Sequence, residues 1–167
     1  VEPTVGHLLR LDDRTDPRDV GDRRVTRGIF ARGGEDLRDD DDPVGVERGF
    51  ISRAAAVERT LATLRFFWNS PQGPEPDATG YQGFYYHFLD MQTGRRAWQC
   101  ELSTVDSAFL LAGALTAGMY FDAGTADEGE IRDLGDALYR RADWPWAQNH
   151  GATVTHGFRP ESGFLGY

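Results

Sequence analysis

Lysine is absent from this chain: all 18 basic residues are arginine, set against 27 acidic ones. The resulting formal charge of −9 argues against a nucleic-acid partner, which needs a positive face to displace counterions from phosphates. Folding does not require the lack of lysine, which reads instead as the codon bias of a GC-rich bacterial genome. Cysteine is almost absent too. A single Cys100 can make neither an internal disulfide nor a cysteine metal cluster. No charged leader precedes an apolar run, and no apolar run is long enough to cross a bilayer, so neither a signal peptide nor a membrane segment is visible. His87 and His156 lack local ligand spacing and an HExxH context, so no metal is expected. There is no Gly-rich phosphate loop, because Gly113 and Gly118 fall inside a helical pattern and read as packing glycines, and there is no G-x-S-x-G elbow. No cofactor is expected.

What is present supports one domain, since 167 residues suffice to bury a sizeable core. Residues 1–45 are crowded with Asp, Arg and Gly, including Asp39-Asp40-Asp41-Asp42-Pro43. Such a segment buries too little apolar surface to offset chain entropy, and a disordered or aberrant, even out-of-frame, stretch is expected there. The aspartates lack the D-x-D-x-D-G register of a calcium loop. From Ser52, an N-cap, the residues Val57, Leu61, Leu64 and Trp68 recur on one helical face until Pro71. A loop follows over 69–80. Aromatic-rich 84–90 and the piece 97–100, separated by Gln92-Thr93-Gly94, predict a β-hairpin.

The hairpin feeds a helix capped by Ser103 with Asp106, whose apolar residues Val105, Phe109, Ala112 and Leu115 imply burial on all sides. Thr125 with Glu128 opens an amphipathic helix over about 126–141, with Ile131, Leu134 and Leu138 inward and Arg140 and Arg141 at its negative end. Asp143-Trp144-Pro145-Trp146 ends it. A short strand over 153–158 and a loop over 159–164 are expected beyond it. A buried helix followed by an amphipathic one is the repeating unit of a layered helical barrel.

Four ordered motifs stand out: Gly83-Phe-Tyr-Tyr-His-Phe-Leu-Asp90, Cys100-Glu-Leu-Ser-Thr-Val-Asp106, Leu138-Tyr-Arg-Arg-Ala-Asp-Trp-Pro-Trp146 and His156-Gly-Phe-Arg-Pro-Glu-Ser-Gly-Phe164. With Gly45-Val-Glu-Arg-Gly-Phe50 they resemble the bacterial glucoamylase-like domain family, which includes endo-β-1,2-glucanases and the transglycosylating domain of cyclic β-1,2-glucan synthases. The likeness covers residues 46–167. It implies a mainly α fold, a partial (α/α)6 barrel or α/α toroid, with a small β-hairpin at the active-site end. A β-glucan oligosaccharide or polysaccharide partner and a periplasmic or secreted location are implied with it. This chain departs from the family before Gly45 and after Tyr167, as an incomplete domain would.

Cleaving or transferring a glycosidic bond needs a proton for the leaving oxygen and a carboxylate facing it across a cleft. Glu161, between Phe158 and Phe164, is expected to have a raised pKa suited to a general acid; alternatively it is an exposed loop glutamate. Glu101, two residues before a helix cap, suits a base or a sugar-hydroxyl acceptor, unless it merely pairs with Arg95 or Arg96. Asp106 is a cap or a substrate contact, and Asp90 a turn-former or a further catalytic carboxylate. Tyr85, Tyr86, Trp98, Trp144 and Trp146 are candidates for stacking on sugar rings, with core packing as the alternative. His87, Arg95 and Arg159 complete the substrate-binding candidates. A hydrolase or transglycosylase is one outcome; a non-catalytic remnant or saccharide-binding module is the other.

Overall fold

The computed structural model describes residues 41–90 and 92–166, so the expectation for residues 1–40 lies outside the described residues. The first helix, α1 (Asp41–Glu47), begins within the aspartate run. Asp42 is 1% exposed there, accepting from Thr60 Oγ1 at 2.9 Å and pairing with Arg59 Nε at 2.9 Å. The last residues of the segment expected to be weakly ordered therefore fold. A buried carboxylate is tolerable only with such partners, and both come from the next helix.

That helix, α2 (Arg53–Asn69), starts where its cap predicts: Ser52 Oγ accepts from Ala55 N. Val57, Leu61 and Leu64 are buried, but the fourth face position is Phe67, fully buried, while Trp68 is 39% exposed. Both fit the 3.6 period; the Arg141 guanidinium draws the Trp68 ring outward, sitting 4.8 Å over it.

Next come β1 (Gly80–Tyr81) and β2 (Phe84–Tyr86). Of the predicted hairpin over 84–100 a short pairing remains: Leu89 bridges Arg96, Asp90 N donates to Arg95 O and Ala97 N to Phe88 O, without a regular second strand. Trp98 and Gln99 take positive φ, so 97–100 is a turn rather than a strand. β2 pairs instead with β1 and with β3 (Leu102–Ser103), and β3 pairs with β4 (Gly157–Arg159). β5 (Gly163–Phe164) closes an antiparallel sheet of order β1-β2-β3-β4-β5. The strand expected at 153–158 lies at Gly157–Arg159, and the expected loop at 159–164 is the turn of the β4–β5 hairpin.

Two long helices complete the body. α3 (Thr104–Tyr120) is capped by Ser103, whose Oγ accepts from Asp106 N at 3.1 Å. α4 (Ala126–Arg141) is capped by Thr125, whose Oγ1 accepts from Glu128 N at 3.3 Å. The two pack along their length, and α2 packs on α4. The tight crossing falls at Gly135 rather than at Gly118: a Cβ at Gly135 would lie 2.8 Å from Ala114 O, whereas one at Gly118 would meet Arg132 at an ordinary 3.5 Å. Asp143 caps a last short helix, α5 (Trp144–Ala147), by accepting from Trp146 N.

Burial of α3 on all sides is not what the structure shows. Leu110, Leu111, Ala114 and Ala117 face the core, but Phe109 is 65% and Met119 84% exposed, with Val105 also outward. An apolar helix becomes an interior helix only if chain surrounds it, and the described packing of α3 is mainly against α4 and β2, on the side of Leu110, Leu111, Ala114 and Ala117.

Candidate functional site

The short sheet aligns side chains that lie far apart in sequence. The β2–β3 ladder runs one residue past Tyr86, with His87 N donating to Glu101 O at 2.9 Å. Because Leu102 is opposite Phe158, Glu101 is in turn opposite Arg159 in β4. Residues opposed across antiparallel strands share a face. His87, Glu101 and Arg159 thus form a polar row at one end of the sheet, and Arg159 Nη2 lies 3.4 Å from Glu101 Oε2. Glu101 pairs with Arg159 rather than with either arginine expected from sequence. Arg95 pairs with Asp77 on the exposed surface.

Glu161 lies in the β4–β5 turn and reaches back to Arg96, which donates from Nη1 to Oε1 at 2.6 Å and from Nη2 to Oε2 at 3.0 Å. The arginine side chain is only 1% exposed, and it also donates to Cys100 O and Pro76 O. The carboxylate is 42% exposed. This overturns the expected raised pKa: the Arg96 hydrogen bonds hold the Glu161 carboxyl below its ordinary value, outweighing the apolar neighbours. Glu161 is an ionised group in this geometry.

Asp106 does two things at once. Its backbone N–H goes to Ser103, while its carboxylate, instead of closing the capping box, pairs through Oδ2 with His87 Nδ1. Asp90 makes its turn: Oδ1 accepts from Gln92 N, Thr93 N and Thr93 Oγ1.

The aromatic candidates divide. Tyr85 and Tyr86 are fully buried and belong to the core rather than to a sugar surface. The Tyr85 hydroxyl donates to Phe67 O at 2.9 Å and meets Arg141, while burial pushes its pKa up to about 12. The Tyr86 ring lies under Arg96, 4.7 Å from the guanidinium carbon. Trp146 packs among Tyr81, Phe158 and Phe164. Trp144 abuts Phe84 and lines shallow grooves of about 400 and 440 Å³ along α3, which Glu101, Asp106 and Glu161 do not line. Trp98 alone combines exposure, at 56%, with the polar row, because Phe88 bridges it to His87 at centroid distances of 5.3 and 4.2 Å.

Phe88 and Arg96 are the residues that sequence reasoning undervalued. Phe88 is held by Cys100, whose Sγ accepts from Phe88 N at 3.1 Å, which gives the lone, buried cysteine a structural role. Nothing local separates Arg96 from Arg95. Arg96 is paired in an extended bridge with Leu89, and successive extended residues point to opposite sides, so one guanidinium goes inward and the other out.

No protein-family model matches the chain. Over 107 residues, 61% of this chain and 14% of the relative, it is 32% identical to an exo beta-1,2-glucooligosaccharide sophorohydrolase (non-reducing end) of Parabacteroides distasonis. A solved beta-1,2-glucanase from the same organism superposes with a TM-score of 0.65 at 25% identity, covering 76% of this chain and 18% of that one. The chain is thus similar to part of two proteins named for action on β-1,2-linked glucans. An endo-beta-1,2-glucanase from Chitinophaga pinensis, solved with sophorotriose and glucose, shares the fold at a TM-score of 0.70 and 23% identity, over 93% of this chain and 36% of that one. A Bacteroides uniformis protein designated a candidate glucoamylase does so at 0.70 and 23%, over 98% and 42%. The chain spans between 14% and 42% of the length of these proteins.

Proposed function

We propose that this chain is a carbohydrate-active domain that hydrolyses or transglycosylates β-glucan, with β-1,2 linkages, through paired carboxylates. The observation that carries this reading is the joining of Glu101, Arg159 and His87 in one row, with the Trp98–Phe88 rings alongside and Glu161 ionised on the neighbouring turn. The names of the sophorohydrolase and the two glucanases support the linkage. The body corresponds to part of an (α/α)6 barrel, with α3 as an inner helix and α4 as its outer partner, and with a domain boundary at residues 45/46. Support comes from the likeness to the larger neighbours and from the outward apolar side of α3.

Electrostatics divides the roles. Glu161, ionised by Arg96, suits the carboxylate that activates water or attacks the sugar. Glu101 has a single 3.4 Å contact with Arg159 and is the candidate proton donor. Trp98 offers an exposed ring face to a sugar.

The experiment is incubation of the chain with linear β-1,2-glucan, read as new reducing ends or changed chain lengths. Turnover that falls 10²-fold or more in both Glu161→Gln and Glu101→Gln is the expected result. One observation favours a second reading, a saccharide-binding module without turnover: the bidentate Arg96 clamp engages both Glu161 oxygens. Binding of the glucan with no cleavage selects that reading, and neither binding nor cleavage overturns both.

A further inference from the structure

We infer that Asp106 is a positioning residue for His87, and that the pair presents the His87 Nε2 atom as a bare acceptor to a hydroxyl of the bound saccharide; this rests on the β-glucan reading above. Asp106 lies in the first turn of α3, where the helix dipole favours a negative side chain. An ionised carboxylate only accepts hydrogen bonds, so the His87 nitrogen facing Asp106 Oδ2 must carry the proton. In a neutral imidazole with Nδ1 protonated, Nε2 is the acceptor. The Ser103 hydroxyl takes the Asp106 backbone N–H, so the cap is made without the Asp106 side chain, which is left to orient the ring.

Three contacts together fix the imidazole. His87 N is tied to Glu101 O, the Phe88 ring packs against it edge-on at 4.2 Å, and the Asp106 carboxylate, 18% exposed, holds Nδ1. The His87 side chain nevertheless remains 35% exposed. A ring clamped on one edge and open elsewhere, beside the exposed Trp98, fits a group that reads hydroxyl direction rather than charge. Its neighbours in the row, Glu101 and Arg159, already engage each other. A sugar lying against Trp98 would meet the donor-hungry Nε2 with a hydroxyl, of which a β-glucan has several on each ring.

Long-range ¹H–¹⁵N correlation of the histidine rings in the full chain tests this, with the His87 signals assigned by their loss in His87→Asn. Expected are a protonated Nδ1 and a bare Nε2 in the wild type, and a gain of the Nε2–H tautomer in Asp106→Asn, whose neutral side chain keeps the size of the original. On adding sophorotriose, the Nε2 signal should move. His87→Asn, which can still offer an N–H to Asp106, should weaken binding about tenfold without changing Tm. A wild-type ring protonated at Nε2, or sophorotriose affinity unchanged in His87→Asn, overturns the inference while leaving the saccharide reading standing. No binding of sophorotriose to the wild type overturns the saccharide reading and the ligand assigned to Nε2 together.

Discussion

Two glutamates in this molecule are gripped by arginine forks in opposite senses. At the helical end, Glu128 is buried, its side chain 6% exposed, and Arg53 reaches it from the surface at 2.9 and 2.8 Å. At the sheet end the arginine is the buried partner, and Glu161 is the one in contact with solvent. Both carboxyls are held below their ordinary values by their arginines, yet the consequences differ. A buried carboxylate fork ties α2 to the start of α4, with Ala123 N as a further donor, and has no access to a ligand. A buried guanidinium fork fixes a charged carboxylate at the surface, where a ligand can reach it. Burial of one partner or the other separates a scaffold joint from a candidate site.

The contrast predicts graded losses. Arg53→Met leaves Glu128 buried without its main partner, and chemical denaturation should show the largest loss, about 3 kcal/mol. Arg96→Met strands the Pro76 and Cys100 carbonyls but leaves Glu161 able to hydrate, so the same measurement should give about 2 kcal/mol. An Arg96→Met loss equal to or greater than that of Arg53→Met would break the comparison.

Acid sensitivity sharpens it. Because each folded-state carboxyl lies below the ordinary glutamate value of 4.5, each stabilises the fold fully above that pH and loses its contribution as pH falls through the depressed value. Melting temperatures between pH 6 and pH 3 should therefore drop less steeply in Glu128→Gln than in the wild type. In Glu161→Gln the slope should barely change, because solvent screens the exposed carboxylate. The smallest loss at pH 7 is expected for Glu161→Gln, a slight fall in Tm, because the amide oxygen can still accept from the buried Arg96 guanidinium but no longer neutralises it, and turnover is then compared at a temperature where both proteins are folded.

Much of the helical scaffold was legible from sequence because its signals are local. Ser52, Ser103 and Thr125 each cap the helix they announce, since a cap needs only a side-chain oxygen within three residues of a bare N–H. The inward face of α4 was legible for the same reason, its charged residues leaving one apolar stripe. On α3 the pattern failed: with scarcely a polar residue to mark the wet side, Phe109 and Leu110 look alike in sequence, and only packing against α4 and β2 turns one in and the other out.

The site was legible as a list of residue types and illegible as a set of partners. Glu101, Glu161, His87 and Trp98 could be named, but the sequence separations of 58 from Glu101 to Arg159 and of 65 from Arg96 to Glu161 are closed by strand register and by the β4–β5 turn. The same distance hid the carboxylate–imidazole pair of Asp106 and His87. By itself, the sequence determined where three helices begin, that the chain is acidic, and which family its motifs resemble, since each depends on residues close together along the chain. The tertiary structure alone decided that Tyr85 and Tyr86 are core, that Arg96 rather than Arg95 is buried, and that Glu161 is held ionised, because a charge takes its character from whichever group the fold places beside it.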